Sequence, residues 1–379
     1  LNNWIEVSAS RLTSNFQAIQ TEVGRATTIL AVVKANAYGH GAETCASILV
    51  RAGAKWLGVT CATEGARVRQ ALAAQGLAAE ILIMSGFLPE DAPLIHEFAL
   101  TPVVWTREQI DALARYPGTR VHLEVDTGMG RQGIGTSLVE LIQFYVHSKS
   151  GLIIDGVFTH FCSSEVAGSP QTALQQARFE AFLGKLHKSS IKPTYLHAGN
   201  SSFIDNAGTD PDWLAELAGT LGATPMARPG LALYGYTLPI EGGAATRLHP
   251  KLQPVLTWKA RVLATRALAP GDTIGYNAIF TATRPLRVAL LPVGYADGLR
   301  RELSSTNEKP GGWTMIHGQK APILGRISMN LTVVDVTQIP NAQANDEAIL
   351  LGDGVTADDH ARLARTISYE ILCGIHPCN

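Results

Sequence analysis

From about residue 8 to residue 240, short apolar runs alternate with longer stretches in which apolar residues return every three or four positions. The runs at 28–33, 56–60, 80–84, 101–104, 120–125, 153–159, 194–197 and 225–231 have the length and composition of strands buried on both faces. The stretches at 9–22, 41–52, 63–75, 107–115, 136–148 and 171–188 have the spacing of amphipathic helices. Eight strands with helices between them predict an α/β fold of the (β/α)8, TIM-like barrel type over residues 8–240. Beyond about 245 the texture changes. Strand-like runs at 255–268, 286–293, 313–317, 321–327, 331–336 and 348–351 are separated by Gly/Pro turns, and only 358–366 reads as a helix. A mostly β C-terminal domain over 241–379 is expected, with residues 1–7 joining it through the strand-like Trp4-Ile5-Glu6-Val7.

In a parallel barrel the chemistry collects where strands end at the C-terminal face. Lys34 closes the first run behind five apolar residues, Ile29 to Val33, and a Tyr38-Gly39-His40-Gly41 turn follows. Burial disfavours an ammonium, so a lysine placed there keeps more of its amine free to attack an aldehyde, as a Schiff-base lysine must. The plainer alternative is a lysine whose stem snorkels out of a strand end. The fifth strand, Arg120-Val121-His122-Leu123-Glu124-Val125-Asp126, alternates strictly. Its valines and leucine face the helices, so His122, Glu124 and Asp126 point into the barrel, where charge must be paired or used. Arg131, in the next loop, is the expected partner of Glu124. Thr159-His160, Asn200-Ser201-Ser202 and Arg228-Pro229-Gly230-Leu231 end the sixth, seventh and eighth runs. The last two offer hydroxyls and backbone N–H groups where barrels usually hold a phosphate, although Asn/Ser and Pro/Gly also mark ordinary turns.

Composition narrows the partners. With 31 Lys+Arg against 32 Asp+Glu the chain has no basic excess for nucleic acid or anionic membranes, so a small-molecule substrate is expected. No apolar stretch approaches the roughly 18 residues of a membrane helix, and Leu1-Asn2-Asn3-Trp4 lacks the basic start of a signal peptide. Five cysteines without Cys-x-x-Cys spacing argue against a disulfide framework and a structural zinc site, and a cytoplasmic protein is expected. The histidines show no His-x-x-x-His spacing, so no catalytic metal is expected.

Gly128-Met129-Gly130-Arg131-Gln132-Gly133 matches the G-x-G-x-x-G dinucleotide fingerprint, with Asp155 at about the right distance downstream. A dehydrogenase is therefore the strongest rival reading. Against it, Asp155 lies at the start of its strand, the wrong end for a ribose, and the loop arginine has no role there.

Lys34-Ala35-Asn36-Ala37-Tyr38-Gly39-His40-Gly41 resembles the pyridoxal-phosphate attachment signature of bacterial alanine racemases. Val125 to Arg131, Arg228 to Gly235, Gly275-Tyr276, Val293 to Gly298, Gly325 to Met329 and Ser368-Tyr369-Glu370 are similar to further motifs of that family, in the same order. The resemblance spans nearly the whole chain. It implies pyridoxal 5'-phosphate bound to Lys34, with Lys34 and Tyr276 as bases on opposite faces. It also implies Tyr38, Ser201, Tyr369 and the N–H groups of Gly230 and Leu231 on the phosphate. Arg228 would face the pyridine nitrogen and Arg131 the phenolic oxygen, with His160 and Asn200 lining the ring. Met329 and Tyr295 would shape the substrate pocket together with Arg131. Tyr276 and Met329 come from the second subunit in the family, so a head-to-tail homodimer is implied. The activity implied is interconversion of L- and D-alanine for peptidoglycan, with a broad-specificity or serine racemase as the nearest alternative.

Two positions depart from the family's pattern. Glu124 stands where many members carry a carbamylated lysine, and its carboxylate is expected to orient Arg131 in its place; Asn330 replaces a common acidic residue after Met329. A related decarboxylase would need no base like Tyr276, and a non-catalytic pyridoxal-phosphate carrier would lack the β domain.

Overall fold

The computed structural model describes residues 2–135, 139, 142–143, 151–189 and 191–377. They form two compact units: residues 10–37 with 41–253, and residues 1–9, 38–40 and 254–379.

In the first unit, β2 (Thr28–Val32), β3 (Trp56–Val59), β4 (Glu80–Ile83), β5 (Thr101–Val104), β6 (Arg120–Glu124), β7 (Ile153–Phe158), β8 (Tyr195–His197) and β9 (Thr224–Ala227) close into a barrel. Every neighbouring pair is parallel, and β9 returns to β2 through Thr28↔Met226 and Ile29↔Ala227. The near-continuous apolar runs are explained by burial on both faces, inside by facing strands and outside by helices. Gly58 shows how full the interior is: a Cβ there would lie 2.6 Å from both Leu30 and Met84 side chains.

The eighth run is shorter than its apolar pattern, because Pro229 and Gly230 end β9 and the chain turns into the 3-10 segment Leu231–Tyr234. Three helices absent from the sequence reading lie in this unit: Ala92–Glu97, Ser201–Asp205 and Trp213–Leu221. The first begins with proline in its opening turn, where a missing N–H costs nothing, so Pro93 starts a helix instead of breaking one. The helix expected at 136–148 falls mostly outside the described residues.

The second unit is built on an antiparallel sheet. It comprises β1 (Asn3–Val7), β10 (Leu256–Arg261), β11 (Ala264–Leu268), β14 (Leu286–Leu291), β15 (Trp313–Ile316), β16 (Gln319–Leu324), β17 (Thr332–Asp335) and β18 (Glu347–Leu351), in the order β1-β10-β18-β15-β16-β17-β14-β11. A separate hairpin joins β12 (Thr273–Ile274) to β13 (Phe280–Thr281). The run read as one strand over 255–268 is two. Val262 N donates to Asp346 O and Leu263 N to Leu290 O, so the chain changes partners there and feeds the second strand from one edge and the strand at the other edge. Beside the expected helix, observed at Ala357–Ala364, a second short one occupies Ser368–Cys373; Arg365, at φ 55°, separates them.

Candidate active site

Lys34 follows β2 directly and opens a turn of reversed hand. Ala35, Asn36, Ala37 and Tyr38 have φ of 52°, 53°, 53° and 54°, a left-handed helical turn made without glycine. Such a turn costs about 1–2 kcal/mol per residue, so the surroundings must hold it. Glu64, a buried carboxylate, accepts from Asn36 N at 2.9 Å and from Thr60 N at 2.6 Å, and the Thr60 hydroxyl accepts from Ala35 N at 3.3 Å. The Asn36 side chain in turn accepts from Ala42 N at 3.0 Å. The backbone that follows Lys34 is thereby held at the strand end.

The loop after β6 disposes of the dinucleotide reading. Asp126 Oδ1 accepts from the N–H groups of Gly128, Met129 and Gly130 at 2.9, 2.9 and 3.1 Å. The donors that would cradle a pyrophosphate are thus already given to the chain's own carboxylate. Asp155 is 3% exposed and ion-paired to Arg120 at 2.5 Å.

Glu124 points inward as expected, but its hydrogen-bond partner is the Gln132 amide, not Arg131. The reason is backbone geometry. Ile134 N donates to Glu124 O and Asp126 N to Ile134 O, which brings Gln132 back beside the strand end. Arg131 is exposed, and its charge reaches Glu124 without a hydrogen bond. Burial pushes the Glu124 carboxyl up to about 7, against the pull of Gln132, Arg228 and Arg131.

Arg228, following β9, is the hub of this end of the barrel. Its Nη2 donates to Thr159 O at 2.8 Å and lies 3.3 Å from His160 Nδ1, while Nη1 lies 3.3 Å from His197 Nδ1. Guanidinium nitrogens only donate, so both imidazoles accept at Nδ1 and carry their proton on Nε2. Burial, then the charges of Arg228, Arg131 and Lys34, bring His160 down to about 3. Those three cations therefore lie within electrostatic reach of His160, which is neutral.

Ser201 Oγ accepts from Gly230 N at 3.0 Å and Ala232 N at 3.1 Å, which directs its hydroxyl proton elsewhere. The Gly230 N–H is thus turned onto Ser201, and Leu231 opens the buried 3-10 segment beside it. Asn200 caps the helix Ser201–Asp205, its side chain accepting from Phe203 N at 3.0 Å.

The second unit gathers the remaining candidates in two places. Tyr38 and Tyr369 face each other with ring centroids 5.7 Å apart. Burial, then Tyr369, raises the Tyr38 phenol well above its usual range, so it is a neutral donor. Gly39 packs against the carbonyl of Leu372, where a Cβ would lie 2.3 Å away, and this pins the Tyr38 segment to the helix carrying Tyr369. Elsewhere, Tyr295 N donates to Ser328 O at 3.1 Å and Ala296 N to Met329 O at 3.0 Å. Gly275, at φ 75°, approaches Arg326 so closely that a Cβ would lie 2.9 Å from its nitrogen. Three separate sequence motifs therefore converge, and they present Tyr276, Tyr295 and Met329 at 65%, 44% and 56% exposure. Large apolar side chains that open to water as a group mark a surface built for contact.

Two family models match the chain: the alanine racemase N-terminal domain over residues 7–238 and the alanine racemase C-terminal domain over 255–378. The chain belongs to the alanine racemase family. It is 36% identical to the alanine racemase of Halothermothrix orenii over 98% of this chain and 94% of that protein. The solved alanine racemase of Clostridium difficile 630 matches with a TM-score of 0.85 at 27% identity, over 99% of this chain and 93% of that one. The Bartonella henselae alanine racemase, solved with covalently bound pyridoxal phosphate, matches with a TM-score of 0.81 at 26% identity, over 100% of this chain and 98% of that one.

The residues of this alanine racemase-family chain fit the same cofactor. Arg228 Nε is buried and has no hydrogen-bond partner among the described residues. An unsatisfied buried donor is costly, and a lone pair such as that of a pyridine nitrogen would satisfy it. Sequence reasoning missed Glu64 and the role of His197. A carboxylate in the first turn of the helix Ala62–Ala73 was the available signal for the first, whereas His197 stood out as a polar residue at the end of the seventh run but its partners, distant in sequence, did not.

Proposed function

We propose that the chain is a pyridoxal-phosphate enzyme interconverting L- and D-alanine by a two-base mechanism, with Lys34 and Tyr276 acting on opposite faces of the α-carbon. The observation that carries the reading is the Arg228 hub, with its unpartnered Nε beside a neutral His160. Bound pyridoxal phosphate supplies an electron sink for the pair left when the α-proton departs.

The chain's own groups do the rest. Burial lowers Arg228 only to about 10, so it stays protonated near neutrality and donates to the ring nitrogen without giving its proton away. That limits how far charge is drawn from the α-carbon and favours return of a proton there. The Lys34 amine takes or returns a proton on one face. His160, held as the Nε2–H tautomer by Arg228, can donate to the oxygen of an ionised Tyr276 and so lower the cost of phenolate formation on the other face. Tyr38, Tyr369, the hydroxyl proton of Ser201 and the Leu231 N–H would hold the phosphate, while the Gly230 N–H stays on Ser201. Arg131 meets the phenolic oxygen, Asn200 lines the ring, and Met329 and Tyr295 bound a small pocket. Tyr276 and Met329 belong to the second subunit of a head-to-tail homodimer. The product serves peptidoglycan synthesis in the cytoplasm.

Borohydride reduction of the holoenzyme followed by peptide mass analysis should label Lys34. Turnover should be fastest on alanine, with serine and lysine at least about tenfold slower, and Y276F should lose about 100-fold or more in kcat. An unlabelled Lys34, or a Y276F enzyme near wild-type rate, would refute the mechanism; equal turnover of serine would transfer the reading to a broad-specificity racemase.

A further inference from the structure

The hub does not end at His197. His197 Nε2 lies 2.9 Å from His122 Nδ1, and His122 Nε2 lies 3.8 Å from Asp155 Oδ2. Arg120 closes the series on the far side, with Nη2 and Nε at 2.5 and 3.0 Å from the same carboxylate oxygen, and it also reaches Glu80 at 3.4 Å. Both imidazoles are fully buried, and Asp155 and Arg228 are each 3% exposed. The series runs across the barrel interior from the start of β7 to the end of β9.

Its proton positions are fixed by its ends. Arg228 can only donate, so His197 accepts at Nδ1 and carries its proton on Nε2. That proton goes to His122 Nδ1, so His122 carries its own on Nε2, which has no hydrogen-bond partner among the described residues and faces the Asp155 carboxylate 3.8 Å away. The donor-only cation sets this polarity through the two hydrogen bonds, and the anion at the other end favours it by attracting the His122 Nε2–H across 3.8 Å. The fold reserves space for it: a Cβ on Gly156 would lie 2.5–2.7 Å from three atoms of the His122 ring. Trp56 and Phe158 pack on the two rings, at 5.1 Å from His122 and 4.4 Å from His197.

We propose that Asp155 is a positioning residue for Arg228, acting through His122 and His197 to hold the guanidinium in the orientation that presents Nε to the cofactor ring. This rests on the assignment of Arg228 to the ring made above. The plainer role, an anion that only pairs Arg120 at a strand start, leaves the imidazoles unaffected. Burial lowers the pKa of His122, with Asp155 opposing and Arg120 and Arg228 adding to the fall, so the ring is neutral and its tautomer is the variable that matters.

Protein labelled with 15N-histidine tests this directly, because ring-nitrogen shifts separate the two neutral tautomers. In the wild type both His122 and His197 should be single Nε2–H forms. In D155N the attracting anion is gone and the amide can present an N–H to His122 Nε2, so the reversed polarity competes at the expense of the His197–Arg228 hydrogen bond, and a second His122 tautomer should appear at about a tenth or more of the signal. The holoenzyme of D155N should lose about tenfold in kcat with KM for alanine within about twofold, while R120K, which keeps a cation beside Asp155, should change neither readout. If D155N fails to fold, G156A leaves Asp155 in place, crowds the His122 ring and should give the same pair of changes. Unchanged tautomers, or altered tautomers with unchanged kcat, overturn the proposal. The tautomer readout does not depend on which reaction the enzyme performs, so a failed racemase assay with mixed tautomers in D155N would count against the function and not against the series.

Discussion

Glu124 illustrates how a single residue answers to its backbone. The strand's alternation sends it inward, and the return of the chain at Ile134 gives it Gln132 as hydrogen-bond partner. A carboxyl raised from its ordinary value to about 7 binds a proton in the folded state that it has already lost in the unfolded state. Its contribution to stability is therefore present below about pH 4.5 and lost as pH rises through about 7, an effect of up to about 3 kcal/mol. E124Q keeps an acceptor for Gln132 but cannot titrate. Urea unfolding of the apoprotein should show the wild type losing stability relative to E124Q between pH 5 and pH 8, and parallel profiles would contradict the buried-carboxyl account. If the carboxylate also orients Arg131 at a distance, E124Q will disturb turnover most at pH values where the native residue is ionised.

Among the elements, the left-handed turn after β2 is the one that no propensity argument anticipates. Alanine and asparagine favour a right-handed helix or a cap, and four successive residues at positive φ persist only where tertiary contacts impose them. Glu64 supplies one such contact, to Asn36 N, from a different element, the helix Ala62–Ala73, and also fixes Thr60, whose hydroxyl accepts from Ala35 N. E64Q turns one acceptor into a donor facing a backbone N–H. It should lower barrel stability by about 2 kcal/mol, read as a fall in apoprotein Tm, and slow borohydride trapping of cofactor at Lys34. A variant with wild-type Tm and trapping would show that the turn is held by other means. The motif around Lys34 was legible in the sequence as residues and spacing; its handedness was not, because the partner lies 28 positions away in the chain.

On the scale of the whole molecule, three loops of the second unit expose Tyr276, Tyr295 and Met329 together. If a second protomer covers that surface and each active site draws Lys34 from one chain and Tyr276 from the other, inactive variants will complement. Subunits of K34A and Y276F, exchanged at equal concentration, should regain about a quarter of wild-type racemase activity, since about half the dimers then carry one intact site. No recovery after verified subunit exchange would show that both bases come from the same chain.

The sequence by itself determined the barrel and the β domain, because strand burial on two faces, helical periodicity and Gly/Pro punctuation are local properties of short segments. It also presented the strand-end residues Lys34, His160, Asn200 and Arg228, since polar side chains stand out at the ends of apolar runs. What each of them touches followed from packing alone. The Gly128–Gly130 amides bind Asp126 and not a phosphate, Glu124 meets Gln132 and not Arg131, and one apolar run serves two strands far apart in one sheet. Hydrogen-bond partners distant in sequence are selected by geometry after the chain has packed. That is why a series from Asp155 to Arg228, spread over three strands and the segment after a fourth, leaves no periodic trace in the order of residues.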